Sequence, residues 1–387
     1  MKVRNFCLSL AFAIAAALLA TATAAPAQEF ETKARFAALM DYESGSLLFQ
    51  KAADEPLEPA SMAKLMTVAV VFDELQRGRL SMDDEFFISE HAWRDGGAAS
   101  GGSTMFAELN SKVKVSDLLR SVIIQSGNDA AIALAEGIGG TEQTFAKMMN
   151  QLGAEIGLTG SNFTNATGLP DPDQYSTARD LAIIARFLIA QFPEYYPMFS
   201  EPEFTWNKIR QQNRNSLVEM GIGVDGLKTG HTEAAGYGTV VSTAASGRRL
   251  IAVLHGLKSM TERAEEARKL ITWGARGFEL IPVYPAGTVV AYANVYGGKD
   301  PQVGLVGKGD IELFIPKGAR DCPQATVTYR GPLRPPVAAG TEVGQLNISC
   351  GGKVVQVTPL YAAETVEEGD LVRRAIDALK QLALGWL

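Results

Sequence analysis

Two β-patterned stretches lie far apart in this chain, with most of its helix-patterned residues between them, and that spacing restricts the fold more than any single motif. Early on, Ala37 to Met40 and Leu47 to Phe49 flank Asp41-Tyr42-Glu43-Ser44-Gly45, the pattern of a hairpin with a longer turn. After residue 220, Gly-rich turns alternate with Thr239-Val240-Val241-Ser242 and Leu250-Ile251-Ala252-Val253-Leu254, which read as neighbouring strands. Between them, an apolar-rich stretch of helical length runs from Ser61 to Leu75, with Gly78 where a helix stops. Two further helical patterns from Asp117 to Ile138 are broken at Gln125-Ser126-Gly127-Asn128, and an amphipathic helix over 176–191 begins at Ser176-Thr177. A long helix from Glu262 to Phe278 follows the late strands. Helices between an early hairpin and late strands suit an α+β domain, an antiparallel sheet flanked by helices.

The pattern changes near Pro282. From there to about residue 364 the chain shows short β runs, many Val, Gly and Pro, and no helical periodicity. Asn347-Ile348-Ser349-Cys350 and Lys353-Val354-Val355-Gln356 flank Gly351-Gly352, a two-residue hairpin signal. This predicts a separate, small, all-β domain, and no internal repeat is visible. Asp370 to Leu387 then sets Leu371, Val372, Ala375, Ile376, Leu379, Leu382, Ala383 and Trp386 on one helical face, opposite Arg373, Arg374, Asp377, Lys380 and Gln381. Such a helix either lies in a membrane interface or packs on the protein's own β domain.

The first 27 residues read as a targeting segment. Lys2 and Arg4 precede an apolar run, Leu8 to Ala20, too short to span a bilayer comfortably, and Ala25-Pro26-Ala27 supplies small residues for cleavage. The expected organisation is a signal peptide over 1–27, an α+β domain over 28–281, a β-rich domain over 282–364 and an amphipathic helix over 365–387. A chain of 387 residues has room for this. Without the leader, 34 basic residues face 43 acidic ones, a net charge of −9, and no Lys/Arg-rich run occurs, so nucleic acid is not an expected partner. Cys7 leaves with the leader. Cys322 and Cys350 remain, as a disulfide in an oxidising compartment or as two free thiols. His91, His231 and His255 lack ligand spacing, so neither a metal nor another cofactor is expected.

Three short motifs stand in order: Ser61-x-x-Lys64, Ser126-Gly127-Asn128 and Lys228-Thr229-Gly230. The first has a decoy in Ser111-Lys112-Val113-Lys114, but that stretch alternates like a strand, where residues three apart face opposite sides. On a helix, Ser61 and Lys64 share a face. A serine hydroxyl becomes a nucleophile only when a base takes its proton, and a lysine can be that base only if its pKa is depressed by burial or by a nearby cation, for which Lys228 is the candidate. Taken alone, Ser61 would cap a helix and Lys64 would lie at the surface. Likewise, Ser126-x-Asn128 reads either as helix punctuation or as a proton-relaying hydroxyl beside an amide that binds a substrate carbonyl. Lys228 and Thr229 suit a carboxylate, on a strand whose edge would offer backbone groups to an extended peptide.

The ordered trio resembles the penicillin-binding proteins and serine β-lactamases. Ser126-Gly127-Asn128-Asp129-Ala130-Ala131, Gln174 to Asp180, Arg214-Asn215 and Asp225 to Thr232 are similar to segments of the low-molecular-mass D-alanyl-D-alanine carboxypeptidases. The resemblance covers the chain from about residue 30 to its end. It implies a β-lactamase/transpeptidase-like domain, a peptidoglycan stem peptide as substrate, covalent capture of β-lactam antibiotics, and a terminal helix holding an exported, periplasmic enzyme on the membrane surface. It also implies roles: Ser61 as nucleophile, Lys64 as base, Ser126 as proton relay, and Asn128 on the substrate amide. Lys228 and Thr229 of the Lys228-Thr229-Gly230 motif would meet the terminal carboxylate, with Arg263 able to approach it. The backbone N–H groups of Ser61 and His231 would form an oxyanion hole, so the His231 ring is not expected to act as base. A serine β-lactamase is the nearest rival, yet Asn165 to Asp171 offers no Glu to activate a deacylating water. A non-catalytic cell-wall binder is the other alternative.

Overall fold

The structure, a computed structural model, describes residues 30–244, 247–317, 323–371 and 373–375. The early hairpin forms as β1 (Phe36–Asp41) and β2 (Leu47–Lys51). Two small ribbons follow, β3 (Glu85–Phe87) with β4 (Lys112–Lys114) and β5 (Glu203–Trp206) with β6 (Ile209–Gln212). The decoy motif is therefore on a strand, as its alternation predicts. The late strands are β7 (Val224–Thr232), β8 (Gly236–Thr243) and β9 (Leu250–Leu257), and β9 pairs with β1. The antiparallel order β2-β1-β9-β8-β7 leaves β7 at the end of the path.

Both faces of this sheet are covered. Ala38, Met40, Ile251 and Val253 point into a core shared with helices α1 (Lys64–Gln76), α2 (Asn128–Gly139), α3 (Glu142–Glu155) and α4 (Ala178–Gln191). Ala37, Leu39, Ala252 and Leu254 face the other way, against Ala267, Leu270 and Ile271 of α5 (Met260–Arg276). Two-sided burial explains why β9 reads as an unbroken apolar run. Helix α1 is buried continuously from Lys64 to Phe72, as expected of a central helix that is apolar on every side. Thr177 and Ser259 cap α4 and α5, their hydroxyls accepting the N–H groups of Asp180 and Glu262.

The remaining strands are β10 (Phe278–Tyr284), β11 (Ala291–Asn294), β12 (Gln302–Val306), β13 (Ile311–Pro316), β14 (Gln324–Tyr329), β15 (Glu342–Cys350) and β16 (Lys353–Ala362), around a third apolar core. Helix α5 stops at Arg276, and Phe278 already belongs to β10, which runs through Pro282 and pairs with β13. Pro282 is tolerated because the register is irregular beside it. Gly351 and Gly352 both take positive φ, +56° and +77°, as the tight β15–β16 turn requires.

The two parts meet edge to edge at one bridge, Val357 to Leu47. Ser46 Oγ lies 2.7 Å from Thr358 Oγ1, and Arg248 reaches both Asp41 and Glu312. Cys350 is disulfide-bonded, which favours the disulfide over the free thiols; Cys322 lies outside the described residues, as do the 1–27 segment and most of the terminal helix. Among the described residues, no helix is long and apolar enough to cross a membrane.

Candidate active site

Ser61 sits on a 3-10 turn, Ala60–Ala63, that runs directly into α1. Lys64, the first residue of α1, is wholly buried. Its Nζ donates to Ser61 Oγ at 3.0 Å, to Asn128 Oδ1 at 2.7 Å and to the Thr167 carbonyl. Three acceptors suit an ammonium. A neutral amine has only two N–H bonds, and the two carbonyl oxygens can hold both, which leaves the lone pair aimed at the Ser61 hydroxyl. Burial pulls Lys64 down to about 7, against the carboxylates of Asp129 and Glu142.

The sequence reading offered Lys228 as the cation that depresses Lys64; burial does this instead. Lys228 is itself buried on β7 and held well below its usual value, first by burial and then by Lys64, Arg214 and Arg263. A lysine so poorly disposed to carry charge is a weak source of field for its neighbour. Among the described residues its Nζ donates to the adjacent Thr229 carbonyl alone, at 3.2 Å.

Ser126 closes a one-turn π-helix, Ser121–Gln125, and adopts the left-handed conformation with φ +73°. Its buried Oγ has no hydrogen-bond partner among the described residues. Asn128 begins α2, and its backbone N–H donates to Ser103 O at 2.7 Å. The break between helices thus brings the Asn128 amide oxygen onto Lys64.

Strand β7 lies hard against the Ser61 turn. A Cβ on Gly230 would meet Pro59 O at 3.0 Å and Ala60 Cβ at 3.2 Å, so a side chain at the third position of Lys228-Thr229-Gly230 would fit only if the Ser61 turn gave way by a few tenths of an ångström. Thr229 is buried beside it. The exposed His231 ring stacks on Tyr237, with ring centres 3.9 Å apart. Arg263 projects from α5 and donates to Arg214 O at 3.2 Å; burial, then Arg214, lowers it to about 10.

Four contributors were not singled out in the sequence. Asp129, fully buried, accepts from Thr104 Oγ1 and from the N–H groups of Met105 and Ala107, tying the 103–107 loop to α2. Asn165 Oδ1 accepts the N–H groups of Thr167 and Gly168, and Glu142 accepts that of Ala166. Together they set the Thr167 carbonyl on Lys64. Only Gly168 hinted at this turn: its φ is +78°, and a Cβ there would lie 1.9 Å from Ala60 O. Among the described residues, no group of three or more His, Cys, Asp or Glu side chains could hold a metal ion.

A part-buried serine on the turn into a central helix, its hydroxyl against a buried lysine and faced by an edge strand carrying Lys-Thr-Gly, defines an acyl-transfer serine enzyme on an α+β scaffold. Comparison with known proteins narrows the class. Residues 20–259 match the family model described as D-alanyl-D-alanine carboxypeptidase, and residues 278–368 match the C-terminal domain of penicillin-binding protein 5. The chain is 41% identical over 344 residues to the D-alanyl-D-alanine carboxypeptidase DacC of Escherichia coli (strain K12), covering 88% of this chain and 86% of that protein. Penicillin binding protein 5 from Haemophilus influenzae superposes with a TM-score of 0.68 at 40% identity, over 88% of this chain and 99% of that one. Penicillin-binding protein D2 from Listeria monocytogenes, solved in an ampicillin-bound form, superposes with a TM-score of 0.55 at 28% identity, over 64% and 98%. The chain belongs to the D-alanyl-D-alanine carboxypeptidase family. It is a serine carboxypeptidase, a hydrolase, of the penicillin-binding type.

Proposed function

We propose that Ser61 is the nucleophile that attacks the carbonyl between the two terminal D-alanines of a peptidoglycan stem peptide. Lys64 takes the hydroxyl proton as the bond forms. Ser126 passes a proton to the leaving D-alanine, which departs as the acyl-enzyme forms. Water then adds to that ester and regenerates Ser61. The backbone N–H groups of Ser61 and His231 face the developing oxyanion. Asn128 holds the substrate amide, while Lys228 and Thr229 receive the terminal carboxylate, with Arg263 near enough in charge to help. A carboxylate brought to Lys228 favours its ammonium form, so substrate binding would draw a proton onto it. β-Lactams acylate the same serine.

The observation that carries this reading is Lys64: buried, pulled down to about 7 so that the neutral amine is well populated near neutral pH, and donating to Ser61 Oγ and to two carbonyl oxygens. The same reading divides the chain into a leader over 1–27, a catalytic domain over 28–281, a β-rich domain over 282–364 and an amphipathic anchor over 365–387. It places the enzyme outside the inner membrane, attached to that membrane's surface. Fluorescent penicillin should label the wild type and not Ser61→Ala, and only the wild type should release D-alanine from a stem pentapeptide. Labelling of Ser61→Ala would sink the assignment; rapid penicillin turnover without D-alanine release would favour a serine β-lactamase.

A further inference from the structure

Glu142 opens helix α3 behind the Ser61–Lys64 pair, and no step of the reaction above uses it. Its Oε1 accepts the Ala166 backbone N–H at 2.9 Å, and its Oε2 stands 3.7 Å from His91 Nε2. His91 Nδ1 is 2.9 Å from Glu136 Oε1, and Asp95 lies 3.6 Å from His91 Nε2. Ala166 is pinned a second time, its carbonyl accepting Thr67 Oγ1 at 2.7 Å. The next carbonyl along the chain, that of Thr167, receives a Lys64 N–H. A continuous path of contacts therefore runs from a half-exposed imidazole to the buried amine.

The carboxylate is an unusual choice for this place. Its side chain is only 11% exposed, yet among the described residues its one hydrogen bond comes from a neutral amide, which a backbone carbonyl or a Gln could also satisfy. Burial, with Glu136 adding to it, leaves Glu142 above its ordinary value; the Ala166 N–H, His91 and Lys64 offset only part of the rise. Burial also pulls His91 down, but Glu136, Glu142 and Asp95 outweigh it and the imidazole ends above its usual value. His91 is thus suited to hold the charge on Glu142 in place.

We propose that Glu142, steadied by His91, is a positioning residue for Lys64, its carboxylate fixing the Ala166–Thr167 peptide that orients the amine's lone pair. The proposal rests on the assignment of Lys64 as base. The negative charge has a second consequence, since it favours ammonium over amine. The other charged group acting at Lys64 is Asp129, from α2, while Lys64 itself acts on Lys228, from β7; those at Glu142 are His91, Glu136 and Lys64.

Acylation of the full chain by a fluorescent penicillin, followed against pH for wild type, Glu142→Gln and Glu142→Ala, tests this. Gln keeps an oxygen for the Ala166 N–H and loses the charge. Its plateau rate should stay within about twofold, and its acidic limb should move down by roughly half a pH unit, because Lys64 gives up its proton more readily. Ala loses anchor and charge together, and its plateau should fall about tenfold. A merely structural role would lower Tm and leave the limb in place. An unmoved limb in Glu142→Gln overturns the proposal, as does a full plateau in Glu142→Ala; if the Ala variant does not fold, the Gln limb decides. Labelling that survives Ser61→Ala overturns the active-site assignment and this inference together. Ser61-dependent labelling with an unmoved limb overturns this inference alone.

Discussion

At the scale of single residues, the proposed chemistry depends on how a lysine is kept neutral. Lys64 gains no cationic neighbour strong enough to do this; it is stripped of water, and two nearby carboxylates limit the effect. Below its folded value of about 7 the ammonium has no lone pair to offer. Acylation of Ser61 by penicillin should therefore fall roughly tenfold per pH unit on the acid side and level off above, read as second-order labelling rates across pH. A rate independent of pH between 5 and 8 would contradict the assignment of the base. Sequence reasoning could name Ser61 and Lys64 from their helical phase, because local spacing fixes which side chains share a face. It could not say what depresses the lysine, because burial depends on residues as distant as Asn128 and Thr167.

At the scale of elements, the site is assembled from a 3-10 turn, a π-turn, an edge strand and one loop. The loop over 165–170 is the most exacting. Gly168 adopts a left-handed φ of +78° against the Ala60 carbonyl, where an added methyl would sit 1.9 Å away. Gly168→Ala should cost about 1–3 kcal/mol from overpacking and strain, read as a fall in Tm. Because the same loop presents Thr167 O to Lys64, labelling of the folded fraction should slow more than tenfold; unchanged labelling would show that the loop only fills space. The helix break at 125–128 was visible in the sequence as Ser, Gly and Asn. Its use was not, since the π-turn that delivers Ser126 in a left-handed conformation leaves no distinct pattern in Ser121-Val122-Ile123-Ile124-Gln125. Helix α5 shows the usual weakness of boundaries: periodicity carried the helix to Phe278, whereas the chain turns at Gly277 and Phe278 enters a strand.

At the scale of the whole molecule, the catalytic sheet and the β-rich part meet at the Val357–Leu47 bridge, with Val357 and Phe314 packed into the two cores of the first domain and Arg248 linking Asp41 and Glu312. The Ser61 site lies toward the other end of the sheet, beside β7. Membrane attachment, if it resides in the amphipathic stretch, is thus separable from chemistry. Deleting residues 370–387 should release the protein from membrane fractions while penicillin labelling stays within about twofold, since surface changes away from packed features rarely disturb a fold. Retention on the membrane after the deletion would refute the anchor.

The sequence by itself determined the α+β order of elements, the Gly351-Gly352 hairpin, and the three motifs with their residue types, because these follow from periodicity, turn chemistry and short-range spacing. Tertiary structure alone decided that Lys64 is buried, that Gly230 abuts the Ser61 turn, and that Glu142 and Asn165 accept N–H groups on either side of the Thr167 carbonyl that meets Lys64. Those contacts join segments up to a hundred or more residues apart, and burial and electrostatic field depend on what packing brings together rather than on local order in the chain.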